Sequence, residues 1–356
     1  DYACGDLNKL YKFVRHRLTS VNDNLHLRED IITTLVKKYK IFVKRLENGT
    51  TTESSHSKSE IIDKKYNDTY IKVIKDIIKK LEGWNYQTSV IKMCRIKFRV
   101  LKFESYLNSD PYLLGVENGV LHFSAKGVLF RPGLLEDYIT LSTGTKYIQS
   151  YDRQHEHVKF VDNYFKKVFV NHEEREYFNL KVSTYFVRIN KHKKIDVWTG
   201  KHGDNAKSMT TNAIKAMFGK SYAVDAPCDL FVGKRASNGP NPAIAQLTNA
   251  CFVTIADLDS DITLQNGIIK SLSGGDGLFA RNCNENGGGM DFGGHISIHT
   301  NGMPHVENID EPGKKRLDQI DFSSRFVYDA PESIEEQYKT KTFQRDDEIG
   351  DMLKIR

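Results

Sequence analysis

The chain has 356 residues and a net charge of +6, with a pI near 8.8; it is long enough for two domains, and its mildly basic balance admits nucleic acid without requiring it. Its five cysteines, at 4, 94, 228, 251 and 283, have no CxxC spacing and no pairing with histidines. That excludes a zinc site or a disulfide framework and reads as free thiols in a reducing, cytoplasmic compartment, while the lack of any apolar run near the roughly 20 residues of a bilayer span excludes a membrane partner.

The first 90 or so residues read as helical. Ile32, Leu35, Tyr39, Phe42, Val43 and Leu46 recur at helical spacing, as do Tyr70, Ile74, Ile77 and Leu81, each set giving one apolar face. Between them, Asn48 to Ser59 is a polar Ser/Thr-rich loop. This suggests an N-terminal, mainly helical domain over residues 1–105. Arg95 to Lys102 alternates basic with apolar residues; as a strand it would put Arg95, Lys97 and Arg99 on one face, either solvated or facing DNA. From Asp110 to about Tyr147, short apolar segments broken by Glu117-Asn118-Gly119 and Arg131-Pro132-Gly133 suggest a small β subdomain, residues 106–150. The polar stretch Gln149 to His157 marks a boundary, after which Val158–Val170 and Glu173–Val187 are amphipathic helices.

Next comes the segment richest in chemistry. Lys194 to Trp198 is a short strand pattern, Gly200 to Ala206 a Gly-containing loop, and Ser208 to Phe218 a helix ending before Gly219. A loop between strand and helix binds phosphate because successive backbone N–H groups and the helix N-terminus point at it, a Lys adds a mobile charge and a hydroxyl ligates a metal. Lys207 and Ser208 fit the last two roles, and Gly200, Gly203, Asp204, Asn205 and Ala206 would form the cradle. The spacing departs from the usual pattern: Gly200 lies seven residues before Lys207, where six is usual, and Ala206 stands where a second Gly is expected. An ordinary Gly/Asn turn is the alternative.

Cys251 to Ala256 is a continuous apolar run ending in Asp257-Leu258-Asp259, and period-two geometry puts the two carboxylates on one side of the chain. On a strand adjacent to the cradle they would hold Mg²⁺ and orient the attacking water. Ile269 to Arg281 and the Gly-rich stretch to Gly294 read as helix, turn, strand and hairpin tip, the tip at Asn284–Gly289. A third apolar strand, His295 to Thr300, ends in Asn301. The tail after Pro331 is charged, reading as helical or partly disordered.

In order, the loop at Gly200–Ser208, the acidic strand end, the Lys270…Gly274-Gly275-Asp276…Arg281 block, the strand ending in Asn301 with Pro304, and Lys314-Lys315-Arg316-Leu317…Ile320-Asp321-Phe322 resemble the helicase portion of the superfamily 3 primase-helicases of large DNA viruses, phages and mobile elements, including the poxvirus type. With Asp110–Gly133 included, the likeness runs from Asp110 to Phe326. It implies an α/β fold, a three-layer AAA+ P-loop motor over residues 151–330, followed by a charged tail, 331–356. It also implies ATP and Mg²⁺ as cofactors, hydrolysis at subunit interfaces of a homo-oligomeric, hexameric ring, and movement on single-stranded or forked DNA within a host cell. Lys207 would neutralise the phosphates, Ser208 and Asp257 would serve the metal, and Asp257 and Asp259 would share water activation. Asn301 would sense the γ-phosphate, and Arg316, with Arg325 in reserve, would reach the neighbouring subunit's site. Lys270, Arg281 and Phe292 would contact DNA, although Lys270 and Arg281 could instead brace the hairpin. A primase or polymerase domain is expected on the same full-length polypeptide; a chain starting at Asp1 without Met reads as a fragment or processed product. Two other classes stay open: an ATPase of this fold that remodels or loads a partner, and a DNA-binding assembly module in which the altered loop no longer turns over ATP.

Overall fold

A computed structural model describes residues 2–5, 9–21, 24–49, 58–232, 247–256, 262–274, 278–280, 288–290 and 292–352. They form two compact units, one of residues 1–14 and 18–107, the other of residues 15–17 and 108–356.

The first unit opens on strands, not helices: β1 (Tyr2–Cys4), β2 (Leu10–Val14) and β3 (Arg17–Val21) make a three-stranded sheet. Segments of three to five residues are too short for hydrophobic period to reveal. Helices α1 (Leu25–Asp30), α2 (Lys37–Gly49), α3 (Lys58–Glu82) and α4 (Trp84–Lys97) follow, then a single helical turn at Phe103–Tyr106. The expected apolar stripe is displaced. Ile31, Val36 and Val43 are buried, whereas Ile32, Leu35 and Phe42 are exposed, because a π-helical turn at Ile31–Val36 joins α1 to α2 and its wider i→i+5 winding shifts the phase of the helix. On α3, Ile71, Ile74, Ile78 and Leu81 face the core and Tyr70 faces solvent. Arg95–Lys97 ends α4, so the alternating basic strand is not formed there.

In the second unit, where a small β subdomain was expected, β4 (Leu113–Val116), β5 (Gly119–Ser124) and β6 (Gly127–Arg131) form an antiparallel sheet, the first turn at Glu117-Asn118. Helices α5 (Glu156–Val168) and α6 (His172–Thr184) lead to a five-stranded, wholly parallel sheet. Its strands are β7 (Ile195–Thr199), β8 (Ala223–Asp225), β9 (Phe252–Ile255), β10 (His295–His299) and β11 (Leu317–Asp321). Across the sheet the order is β11-β7-β10-β9-β8. The sequence placed the acidic strand β9 beside β7; instead β10 lies between them. Helix α7 (Lys207–Tyr222) connects β7 to β8, and Gly219, at φ 65°, interrupts its regular winding where the sequence placed its end. A Cβ on Gly219 would stand 2.1 Å from the Thr143 carbonyl oxygen.

Both faces of this sheet are covered, giving the α/β three-layer architecture. Trp198, Phe252 and Ile320 pack with Tyr164 and Val168 of α5, Phe178 of α6 and Phe218 of α7. On the opposite face Ile195, Val253, Ile255, Ile296 and Ile298 meet Ile269 and Leu272 of the helix Asn266–Gly274. Burial on both faces is why these strands read as unbroken apolar runs. The chain after Pro331 is more than a charged tail: β13 (Thr342–Gln344) pairs in parallel with β12 (Arg325–Val327), and Phe343 is fully buried.

Candidate functional site

The loop from Gly200 to Ala206 leaves the carboxyl end of β7 and enters α7. Ala206 caps that helix at φ 65°, ψ 5°, the left-handed conformation that the glycine of the usual pattern adopts without strain. Gly200 is required for another reason. A Cβ there would lie 2.2 Å from Asn205 Nδ2, whereas one on Gly203 would meet nothing within 4 Å. Asn205, only 7% exposed, braces the loop from within: its Nδ2 donates to the His202 carbonyl at 2.6 Å and its Oδ1 accepts from the Lys207 amide at 3.3 Å. Ser208 and Met209 follow in the first turn, where helix geometry gives their N–H groups no partner four residues back.

The Lys207 ammonium donates to the Thr300 carbonyl at 2.9 Å, at the carboxyl end of β10 and one residue before the exposed Asn301. The structure thus brings Lys207 beside the third strand's end, a meeting that the sheet order makes possible. A cavity of about 380 Å³ opens along the loop, lined by Asp204 to Met209 together with Tyr164, Phe326, Ile349 and Arg345–Asp347. Its apolar wall comes from α5, β12 and the C-terminal residues. The Tyr164 hydroxyl, its pKa raised by burial, hydrogen-bonds Thr210 Oγ1 at 2.9 Å. Phe326 N–H donates to the Asp204 carbonyl at 2.8 Å, and Arg345 pairs with the Asp204 carboxylate at 3.1 Å and with Asp347 at 2.8 Å.

The remaining expected site residues are placed as follows. Asp257, Asp259 and Arg281 lie outside the described residues. Arg316 is turned into its own chain, donating to the Lys270 carbonyl at 2.8 Å and Ser273 Oγ at 2.9 Å, while Arg325 is exposed on β12. Lys270 is ion-paired with Asp310, whose carboxyl is held down near pH 2 by Lys270 first and by Asn266 and the Gly313 amide after it. Phe292, expected to stack on a base, is instead 4% exposed and packed among core side chains, out of reach of a nucleic acid in this conformation. Gly288–Met290, partly expected as hairpin tip, pairs antiparallel with Leu278–Ala280. Among the described residues, no group of three or more His, Cys, Asp or Glu side chains could hold a metal ion, and no helix is long and apolar enough to cross a membrane.

Two features were not foreseen. Tyr164, Phe326, Ile349 and Arg345 give no sequence signal as site residues, since they come from three separated segments and read as core or as charged tail. Behind β7 lies a buried ionic cluster. The Lys181 ammonium sits 2.8 Å from both Asp196 and Asp318, and Tyr185 Oη donates to Asp196 Oδ2 at 2.5 Å. Burial pushes the Asp196 carboxyl pKa up against the opposing pull of Lys181.

The sequence matches no protein-family model. It is 29% identical over 319 residues to "Putative helicase 184R" of Invertebrate iridescent virus 6, an alignment covering 87% of this chain and 32% of that protein. Similarly named proteins are 121R of Invertebrate iridescent virus 3, 29% identical over 81% of this chain and 30% of its own length, and L207/L206 of Acanthamoeba polyphaga mimivirus, 28% identical over 92% and 33%. The chain therefore spans about a third of the length of these relatives. Among solved structures, the C-terminal region of NrS-1 aligns over 70% of this chain and 53% of its own, at 15% identity and a TM-score of 0.41. The three sequence relatives are virus proteins named as putative helicases.

Proposed function

We propose that this chain is the ATP-driven motor portion of a viral DNA helicase of the superfamily 3 type, working as a ring on single-stranded and forked DNA. The observation that carries the reading is the loop geometry: a left-handed residue at the mouth of α7, a lysine ammonium held against the end of β10, and a cavity of about 380 Å³ beside both. The similarity to virus proteins named as helicases supports it. The residues present fit a magnesium nucleotide. Lys207 exchanges a neutral carbonyl for anionic phosphate oxygens, a stronger bond because both partners are then charged. The first-turn N–H groups of α7 face the same opening with the helix dipole behind them. Ser208 is exposed to the cavity and offers a hydroxyl to the metal. When bound, Mg²⁺ supplies charge neutralisation to the phosphates.

In this proposal Asp257 and Asp259 complete the metal and water contacts, and Asn301 reads the terminal phosphate beside Lys207. Arg316 completes the neighbouring subunit's site after leaving its contacts with Lys270 and Ser273. Lys270 and Arg281 approach DNA. A primase or polymerase domain on the full-length polypeptide belongs to the same proposal.

The test compares phosphate release with and without single-stranded DNA, and strand displacement on a fork, for the natural chain, Lys207→Ala and Arg316→Ala. Both variants are expected to lose turnover, and mixing them to restore part of it. Hydrolysis without DNA stimulation or displacement would favour an ATPase that remodels or loads a partner; no phosphate release from the natural chain would leave a non-catalytic assembly module.

A further inference from the structure

The positive charge of this protein is unevenly placed. Residues 1–14 and 18–107 hold 20 Lys and Arg against 13 Asp and Glu, a net of +7, whereas the other residues hold 32 against 33, a net of −1. Attraction for a polyanion therefore originates in the first unit. Within it, α2 turns Val36, Val43, Tyr39 and Leu46 to the core. At 100° per residue the opposite side presents Lys37, Lys38, Ile41, Lys44 and Arg45. All five are exposed, and the four cations make no ion pair among the described residues. The acids and cations on the flanks are already matched: Lys40 pairs with Glu82, and Glu47 with Lys75. The outer side of α3 is also basic, with Lys72 and Lys79 exposed, but Asp76 interrupts it by pairing with Lys80, whereas no acid stands on the outer side of α2. Ile41 is 44% and the adjoining Phe42 45% exposed, apolar surfaces set among the cations.

We propose that this outer face of α2 binds single-stranded nucleic acid, at a site apart from the nucleotide cradle. Positions 37 to 45 span about 12 Å of helix, and a flexible single strand laid along that face passes four exposed cations, each able to meet a phosphate. Phe42 offers a ring to an unpaired base, a contact that a duplex, with its bases already stacked, cannot make. An anionic membrane fits less well, because an interfacial helix needs a broad apolar face and the broad apolar face of α2 is occupied by the unit's own core.

The test measures binding of a fluorescent oligo-dT to the full chain, without nucleotide, by anisotropy over a range of salt. The variants are Lys37→Gln/Lys38→Gln/Lys44→Gln/Arg45→Gln, the pair Lys37→Gln/Lys38→Gln, and Phe42→Ala, with circular dichroism melts as the folding control. Each phosphate contact adds about 0.7 to the salt slope of a single strand, so the quadruple variant is expected to lose about 3 from the slope and at least about tenfold in affinity. The pair is expected to lose about half of that slope, and Phe42→Ala about fivefold in affinity with the slope kept. If the quadruple variant fails to fold, the pair and Phe42→Ala decide. Unchanged affinity and slope in the folded variants would overturn the proposal, as would anionic vesicles of phosphatidylserine competing the oligonucleotide away. DNA-free phosphate release by the α2 variants is expected to equal that of the natural chain. Absence of release from every chain would count against the motor and leave this site standing.

Discussion

Three substitutions in one loop are expected to act with different signs, and the difference tests the cradle geometry. Ala206 sits at φ 65°, ψ 5°, where a Cβ costs roughly 1–2 kcal/mol and glycine costs nothing. Glycine also loosens the unfolded chain by about 0.4–1 kcal/mol, so Ala206→Gly is expected to stabilise by a net of about 0.5–1 kcal/mol. For a unit of this size that raises the melting temperature by about 1–4 °C. Gly203 has open space where its Cβ would be, and Gly203→Ala is expected to stabilise by about 0.4–1 kcal/mol through the unfolded state alone. Gly200→Ala drives a methyl to 2.2 Å from Asn205 Nδ2 and displaces the side chain that braces the loop, so it is expected to destabilise by at least about 1 kcal/mol. Scanning calorimetry of the nucleotide-free chain reads all three. A lowered melting temperature for Ala206→Gly, or a raised one for Gly200→Ala, would refute the left-handed cap and the close approach respectively.

Removing the ammonium of Lys181 by Lys181→Met leaves Asp196 buried without its cation, an expected loss of about 3–5 kcal/mol by denaturant titration; adding Asp196→Asn should recover part of it. Phe322, 1% exposed and ringed by Phe169, Phe178 and Trp198, is expected to cost about 3–5 kcal/mol as Phe322→Ala in the same titration. Burial lowers His295 and His299 to about 4. The unfolded chain then takes up protons near pH 6.5 that the native chain refuses, so stability is expected to fall as pH drops from 6.5 to 4 and to be independent of these two groups above pH 7. The loss reaches about 3 kcal/mol per histidine, and His299→Gln should flatten half of that slope in melts across the window.

What was legible in the sequence follows burial. Strands 195–199, 252–255, 295–299 and 317–321 stand out because both faces of the sheet are covered, and α5 because it has one apolar side. Sheet order is a long-range pairing that no local pattern encodes, so the insertion of β10 between β7 and β9 was missed. Phase failed at Ile31–Val36, where one π turn moves the stripe from Ile32 and Leu35 to Ile31 and Val36. The strand, loop and helix around Lys207 were legible because they are contiguous. Its apolar wall was not: Tyr164, Phe326 and Ile349 are brought together only by the parallel pairing of β12 with β13 and the packing of α5.

That pairing ties the end of the chain to the loop. Phe326 donates its N–H to Asp204, Arg345 donates its own to Val327, and the Arg345 guanidinium returns to the Asp204 side chain. Asp204 is itself left-handed, at φ 55°, so two of the loop's last three residues before Lys207 are in a conformation that only surrounding contacts sustain. On the other side, Thr300 Oγ1 accepts the Gly302 N–H at 3.0 Å, fixing the turn whose carbonyl receives Lys207. The cradle is therefore held open between a strand from the carboxyl-terminal segment and the end of β10. A ligand that drew Lys207 away would break its 2.9 Å bond to Thr300 and leave the Asp204 anchors to Phe326 and Arg345 in place.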